Sequence, residues 1–291
     1  MRHGLELAGV RLLKFLPSIL PLRASVEAGG LAGILAFDLF RVRRRVTLAN
    51  LERALGGEYT ARELRAVGRR SYVNFARSMV EFSALDRLKP KRLRKMVTVR
   101  GREHIDDALS KGKGAIVVTG HFGSWELLGA AAVAHGLPAD FLVGEQGNRM
   151  VDDLMNELRR SAGIGTIARG VAARGVFSSL KKNRIVAMLS DQDARKAGIF
   201  VDFFSTPAST YPGAAQFAFR AGSPIVFCYI VRRKGIEHEA VFLPPLRADA
   251  SREREDEVRR LTAAHTAALE EVASRYPDHY FWAHRRWKTR P

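Results

Sequence analysis

Sulfur chemistry is almost missing from this chain. Cys228 is the single cysteine in 291 residues, which excludes an intrachain disulfide framework and any multi-cysteine zinc or iron–sulfur site. On that usage the chain reads as reduced and intracellular. Acidic residues are also short: 30 Asp and Glu face 48 Lys and Arg, a formal net charge of +18. Long apolar runs are absent. A bilayer-spanning helix needs about 20 apolar residues, yet the longest stretch free of charged side chains, Phe203 to Phe219, contains Pro207 and Pro212. Nearer the start, Pro17 and Pro21 break residues 15–22, and Asp38 interrupts Ala28 to Leu39. No small-residue cleavage site follows a clean apolar core, so no signal peptide is expected. What remains is 46% hydrophobic, enough for a packed core and too much for global disorder. One large domain or two small ones fit this length.

The charge is unevenly spread. Residues 1–100 carry 21 Lys and Arg against 8 Asp and Glu, so most of the basic excess is N-terminal. Arg41, Arg43, Arg44 and Arg45, and then Lys89, Lys91, Arg92, Arg94 and Lys95, alternate with apolar residues at helical spacing. Such helices present an oily face beside a cationic one. Three readings follow: a phosphate-tracking nucleic-acid surface, a surface lying on an anionic leaflet, or a merely solvated basic face. The first forty residues favour the leaflet over nucleic acid. Leu5, Leu7, Val10, Leu12, Leu13, Phe15, Leu16, Ile19, Leu20, Leu22, Leu31, Ile34, Leu35, Phe37, Leu39 and Phe40 are more grease than a DNA-binding arm exposes.

Residues 1–95 read as helices, broken at Pro17/Pro21, Gly56–Gly57 and Pro90. From residue 96 to 291 the rhythm changes. Short β-branched runs at Gly114–Thr119, Phe141–Val143, Arg184–Leu189, Ile199–Phe204 and Pro224–Val231 alternate with helical stretches at Trp125–His135, Val151–Ser161, Gly170–Lys182 and Gly213–Arg220. That alternation predicts an α/β fold with a mostly parallel or mixed central sheet flanked by helices. A hairpin partner at Glu239–Leu243 follows. A long helix from about Ser251, its expected N-cap, runs to Arg275 with Val258, Leu261, His265, Leu269 and Val272 on one stripe.

Ligands in open α/β sheets bind beyond the carboxyl ends of strands. The run Gly114–Thr119 ends at such a point, in Gly120-His121-Phe122-Gly123-Ser124-Trp125-Glu126. The glycines permit a tight turn, His121 falls in the loop, and Glu126 in the first turn of a helix. A carboxylate there can accept an imidazole N–H and raise the basicity of the opposite nitrogen. The competing structural reading has His121 capping the helix or satisfying a core hydrogen bond, with Glu126 merely complementing the helix dipole.

The segment His121–Glu126 resembles the His-x4-Asp/Glu signature of the glycerolipid and lysophospholipid acyltransferases. Three further stretches are similar to the lipid A late acyltransferase branch: Asp191-Gln192-Asp193, the segment Phe203-Phe204-Ser205-Thr206-Pro207-Ala208-Ser209-Thr210, and the ending His284-Arg285-Arg286-Trp287-Lys288. Arg43-Arg44-Arg45 with Asn50-Leu51 also fits, so the resemblance spans nearly the whole chain. It implies a glycerolipid acyltransferase-like αβα architecture (96–291) preceded by membrane-associating helices (1–95). It further implies transfer of a fatty acyl chain from a thioester of acyl carrier protein or coenzyme A to a hydroxyl of a glycolipid, a lipid A precursor. His121 would be the general base and Glu126 its orienting carboxylate. Arg159, with Arg160 as fallback, is expected to bind substrate or transition-state charge. Arg285, Arg286 and Lys288 are candidates for acceptor phosphates, against the reading of a solvated basic tail that Trp282 and Trp287 oppose. Asp191 and Gln192 are expected to fix the loop around His121 or to bind substrate hydroxyls; for Asp193 a structural turn is an equal alternative. Neither metal nor organic cofactor is implied, and a nucleic-acid partner is not expected. The resemblance further suggests peripheral or monotopic attachment to the cytoplasmic face of a bacterial inner membrane. Two departures stand out: Ser205 replaces the glycine of the family's Phe-Phe-Gly, and Val143-Gly144-Glu145-Gln146 stands where relatives carry an arginine and a proline. Within enzymes the alternative acceptor is another glycolipid or phospholipid, such as a phosphatidylinositol mannoside. Outside enzymes it is a non-catalytic basic binder of membranes or nucleic acid.

Overall fold

The computed structural model describes residues 9, 13–144 and 147–291. Leu5, Leu7, Val10, Leu12 and Glu145 therefore lie outside the described residues. The N-terminal part is helical as expected: residues 13–19, then α1 (Leu22–Asp38), α2 (Arg44–Leu55), α3 (Ala61–Ser83) and α4 (Pro90–Met96). Thr60 and Glu63 form a reciprocal capping box at the start of α3, which satisfies two backbone donors at once. Close packing of α1 on α3 depends on small residues. A Cβ on Gly33 would meet the Tyr72 carbonyl oxygen at 2.5 Å, and one on Gly29 would meet Val80 Cγ2 at 2.6 Å.

The rest alternates strands and helices: β1 (Val97–Arg100), α5 (Arg102–Leu109), β2 (Ala115–Thr119), α6 (Trp125–Ala134), β3 (Ala139–Val143), α7 (Arg149–Ser161), β4 (Gly165–Ala168), α8 (Ala172–Lys181), β5 (Ile185–Leu189), β6 (Ile199–Phe203), β7 (Thr206–Thr210), α9 (Gly213–Ala221), β8 (Ile225–Lys234), β9 (Glu237–Phe242) and α10 (Arg254–Arg275). Seven strands form one mixed sheet in the order β1-β9-β8-β2-β5-β3-β4. The pairs from β8 across to β4 are all parallel. β9 runs antiparallel to β8 and parallel to β1.

Strand side chains alternate between two cores because successive Cβ atoms point to opposite faces. In β2, Ala115 and Val117 join one apolar cluster, while Ile116 and Val118 join the other. β5 divides likewise, with Ile185 and Ala187 against Val186 and Met188. A strand buried on both faces reads as a continuous apolar run, hence its legibility. The first cluster also takes in Val26 of α1 and Val80 of α3, and the second Leu51 of α2 and Leu64 of α3. The N-terminal helices thus help to cover both faces of the sheet.

Three expectations change. Ile199–Phe204 is not part of the main sheet; β6 pairs only with β7, as a separate antiparallel hairpin. Ser251 does not cap α10, whose N-cap position is Glu253; Ser251 instead gives both its N–H and its hydroxyl to Asp249. β1 and β4, each four residues long, escaped the sequence pattern. No helix among the described residues is long and apolar enough to cross a membrane.

Candidate active site

The turn from β2 into α6 can be made only with glycine at one point. Gly123 has φ +58°, and a Cβ there would sit 2.0 Å from the Ile230 carbonyl oxygen. The loop is further stitched to the C-terminal segment: Gly123 N–H donates to the His279 carbonyl, and Phe281 N–H to the His121 carbonyl. His121 is thereby held at the carboxyl edge of the sheet, with its ring edge-on to Trp125 at 5.0 Å.

The carboxylate that meets the imidazole is Asp191, not Glu126. His121 Nδ1 lies 2.8 Å from Asp191 Oδ1. β2 and β5 are adjacent parallel strands, so the loops beyond their carboxyl ends meet although 70 residues separate these two side chains in sequence. With Nδ1 donating to Asp191, Nε2 carries the basic lone pair, and the Gln192 side-chain amide lies 3.3 Å from it. Burial disfavours a charged imidazole here, but the Asp191 charge and hydrogen bond, with a smaller pull from Glu126, outweigh it and raise the His121 pKa. Asp191 shows the complement: burial pushes its carboxyl up, and His121 more than reverses this, so the net direction is down.

Glu126 is engaged elsewhere. Its two oxygens accept from Arg159 Nε at 3.0 Å and Nη2 at 2.5 Å, and Arg159 Nη1 donates to Asn156 at 2.9 Å. Both residues are buried, and the guanidinium also lies over the Phe82 ring. The fork-to-fork geometry matches what Arg offers a carboxylate. The expected Glu126–imidazole contact is therefore replaced by a Glu126–Arg159 pair that reaches His121 through space.

A cavity of about 320 Å³ lies in front of these groups, lined in part by His121, Trp125, Glu126, Arg159, Arg169 and Gln192. Behind it, a narrow and almost wholly apolar slot runs between sheet and α6; it shares Trp125, Phe141 and Leu189 with the cavity and continues past Leu128, Gly129 and Cys228. Burial pushes the Cys228 thiol pKa up, which fits an inert wall residue.

The C-terminal motif divides. Arg286 is buried, donates to the Ser209 carbonyl at 2.6 Å and to Thr210 Oγ1 at 2.5 Å, and lies over the Phe203 ring. It ties the end of β7 to the tail, behind Asp191 rather than in the cavity. Arg285 and Lys288 are exposed and do not line the cavity. Trp287 stacks on Phe203 at 5.6 Å, and Asn50 of α2 donates to the carbonyls of Trp282 and His284; the tail is packed, as its tryptophans suggested. His284 accepts from the Asp193 N–H at 3.0 Å and Asp193 Oδ2 accepts from the Thr289 hydroxyl at 3.0 Å, contacts that join this turn to the tail. Sequence reading missed Arg169, which follows the unrecognised strand β4.

The family model for bacterial lipid A biosynthesis acyltransferase matches residues 2–289. The chain belongs to this family. Among curated proteins it is 26% identical to the lipid A biosynthesis lauroyltransferase of Escherichia coli (strain K12) over 294 residues, 100% of this chain and 93% of that protein. It is 25% identical to the lipid A biosynthesis palmitoleoyltransferase of the same organism over 261 residues, 89% of this chain and 83% of that one. A phosphatidylinositol mannoside acyltransferase of Mycobacterium tuberculosis (strain CDC 1551 / Oshkosh) is 28% identical over 141 residues, covering 44% of this chain and 42% of that protein. Membership of this family makes the protein an acyltransferase.

Proposed function

We propose that the protein transfers a fatty acyl chain from a thioester donor, acyl carrier protein or coenzyme A, to a hydroxyl of a lipid A precursor, with His121 as general base. The observation that carries this reading is the pairing of His121 Nδ1 with buried Asp191, which leaves Nε2 as the proton acceptor in a cavity backed by an apolar slot. The acceptor oxygen attacks the thioester carbonyl while Nε2 takes its proton. Asp191 stabilises the imidazolium so formed. Collapse of the tetrahedral intermediate expels the thiolate, which recovers the proton from Nε2 as thiol. Help of this kind is typically worth about 10²–10⁴ in rate. The Glu126–Arg159 pair walls the cavity without net charge, with the Glu126 carboxylate on the side that favours the imidazolium. The apolar slot offers the acyl chain a path away from the cavity, but as it stands it holds only about 30 Å³, so the chain enters by widening it.

The N-terminal region, residues 1–95 in this reading, docks on an anionic bilayer. Support comes from the outer side of α1 and the loop after it, where Leu31, Leu39 and Phe40 are 64%, 65% and 69% exposed beside exposed Arg41, Arg43 and Arg45. An apolar face next to cations is the arrangement that lies in a membrane interface. The partial similarity to phosphatidylinositol mannoside acyltransferases supports a second acceptor class, another phosphorylated glycolipid.

The test is acyl transfer by purified protein, with acyl carrier protein and coenzyme A thioesters offered to lipid A precursors and to phosphatidylinositol mannosides. His121→Ala is expected to lower kcat by at least about 10² without loss of vesicle binding. Equal rates in the variant and wild type would remove His121 as the base.

A further inference from the structure

The cavity before His121 holds two guanidinium groups in opposite circumstances. Arg159 gives Nε and Nη2 to Glu126 and Nη1 to Asn156, so its charge and its donors are used inside the protein. Arg169 lines the same cavity, is exposed, and its guanidinium has no ion-pair or hydrogen-bond partner among the described residues. Its guanidinium stands 5.0 Å over the Tyr211 ring. A Cβ on Gly144 would already approach its Cζ at 3.9 Å. Stacking on an aromatic face fixes the plane of a guanidinium while its N–H edge remains free.

Charge balance sharpens the difference. While His121 is neutral and able to act as base, the Asp191 charge is answered from behind by buried Arg286, and Glu126 and Arg159 cancel. That leaves Arg169 as the cavity-lining cation whose charge no carboxylate among the described residues answers. Arg149 borders the neighbouring groove, but beside Asp152 and Asp153, which favour cations there. Topology sets the distance: His121 follows β2 and Arg169 follows β4, and the order β2-β5-β3-β4 puts three strand spacings, about 14 Å, between their strands.

We propose that Arg169, braced by Tyr211, is the phosphate-binding residue of this cavity, taking a phosphate of the acceptor or of the donor that lies well away from the reacting oxygen and thioester. The role expected for Arg159 as the substrate's cation passes to Arg169, and Arg159 becomes the partner of Glu126. This assignment rests on the acyl-transfer reading above. The phosphate has two sources, a sugar phosphate of the glycolipid or the phosphopantetheine arm of the thioester, and kinetics separates them.

Arg169→Gln and Arg169→Lys are compared with wild type, donor and phosphorylated lipid A precursor being varied in turn. Arg169 is exposed, so neither change threatens the fold. In Arg169→Gln, KM for one substrate is expected to rise about tenfold or more, the loss typical of a forked charge-assisted contact, with kcat within about twofold; Arg169→Lys should fall between. A rise confined to the precursor identifies the sugar phosphate, and a rise confined to the thioester identifies the donor arm. The precursor with its phosphates removed should bring wild type and Arg169→Gln to the same KM in the first case. Unchanged KM for both substrates, or a loss confined to kcat, overturns the assignment. If wild type transfers nothing, the acyl-transfer reading fails on its own. Equilibrium binding of phosphorylated and dephosphorylated precursor to wild type and Arg169→Gln then still decides the role of Arg169, and equal affinities refute it.

Discussion

The carboxyl edge of the sheet and the outer side of α1 treat their side chains in opposite ways. At the sheet edge the buried charges come in pairs: Asp191 with His121, Glu126 with Arg159. Burying an ion without a partner costs several kcal/mol, so a site that brings charge out of water has to answer it residue by residue. On α1, the inward side is filled by Gly29, Gly33 and Phe37, while Leu31 and Leu35, one turn apart, point to solvent with Leu39 and Phe40 beyond them. Nothing among the described residues covers them. A paired polar interior describes a place where chemistry is done in isolation from water. An unpartnered oily face beside four arginines describes a place where water is to be replaced by something else, and both belong in a protein whose substrates are lipids.

The comparison is tested most severely at Asp191. Asp191→Asn keeps the size and an acceptor oxygen but removes the charge. The rate of acyl transfer should fall by about 10² or more. The pH profile should also move in a defined direction. Burial alone lowers the His121 pKa and Asp191 is the main group that raises it; with the charge gone the pKa drops, the base is free at lower pH, and the acidic limb of kcat shifts downward beneath a lower ceiling. Glu126→Gln should move that limb less, because its pull on His121 is the weaker one, while leaving Arg159 buried without a carboxylate at a cost of roughly 3 kcal/mol in stability. A larger profile shift from Glu126→Gln than from Asp191→Asn would return Glu126 to the role of direct partner.

That partner exchange also marks how far the sequence could be read. β2, β5 and β8 were visible because strands buried on both faces need continuous apolar runs. β1 and β4 were not, since four residues such as Val-Thr-Val-Arg and Gly-Thr-Ile-Ala carry too little periodicity. β6 was found as a run of the right residues, yet its sheet was not, because pairing depends on which turn follows. His121 was legible as a histidine beyond a strand end. Asp191 was visible as a candidate but not as the imidazole's partner: only the adjacency of β2 and β5 brings them together. Spacing suggested Glu126, five residues away, whereas at the second position of α6 its side chain meets Arg159 of α7 instead. Arg169 gave no signal at all, being a lone arginine after an unseen strand.

The oily side of the comparison breaks more gently. Leu35→Gln with Leu39→Gln leaves the inward side of α1 untouched and removes two apolar side chains from the outer one. If each contributes about 1 kcal/mol of transfer free energy on partial burial, binding to vesicles containing anionic lipid should weaken roughly thirtyfold. Activity on a short-chain acceptor dispersed in detergent should not change. Added salt should weaken wild type further through the arginines. Vesicle binding equal to wild type in the double variant would show that the exposed face is not the docking face.

The smallest effect concerns a residue in neither region, Ser205. The two-residue connection between β6 and β7 has both central residues left-handed, Phe204 at φ 52° and Ser205 at φ 51°, as a hairpin turn with the twist of its strands requires. For residues with a Cβ that region costs about 1–2 kcal/mol each. Phe204 is bound in place, its ring 4.8 Å from Phe203 and 5.9 Å from Trp282 and its N–H given to Glu270 at 2.5 Å, so packing offsets its strain. Ser205 has no such anchor. Ser205→Gly, which installs the residue expected here from the resemblance, relieves that cost but adds backbone freedom to the unfolded chain, leaving a net gain of about 0.5–1 kcal/mol. Urea denaturation should show a higher midpoint with an unchanged slope and kcat equal to wild type, because Ser205 is exposed and lies at the opposite end of β7 from Ser209 and Thr210, where Arg286 is held. A midpoint that does not rise would mean that the serine is accommodated without strain.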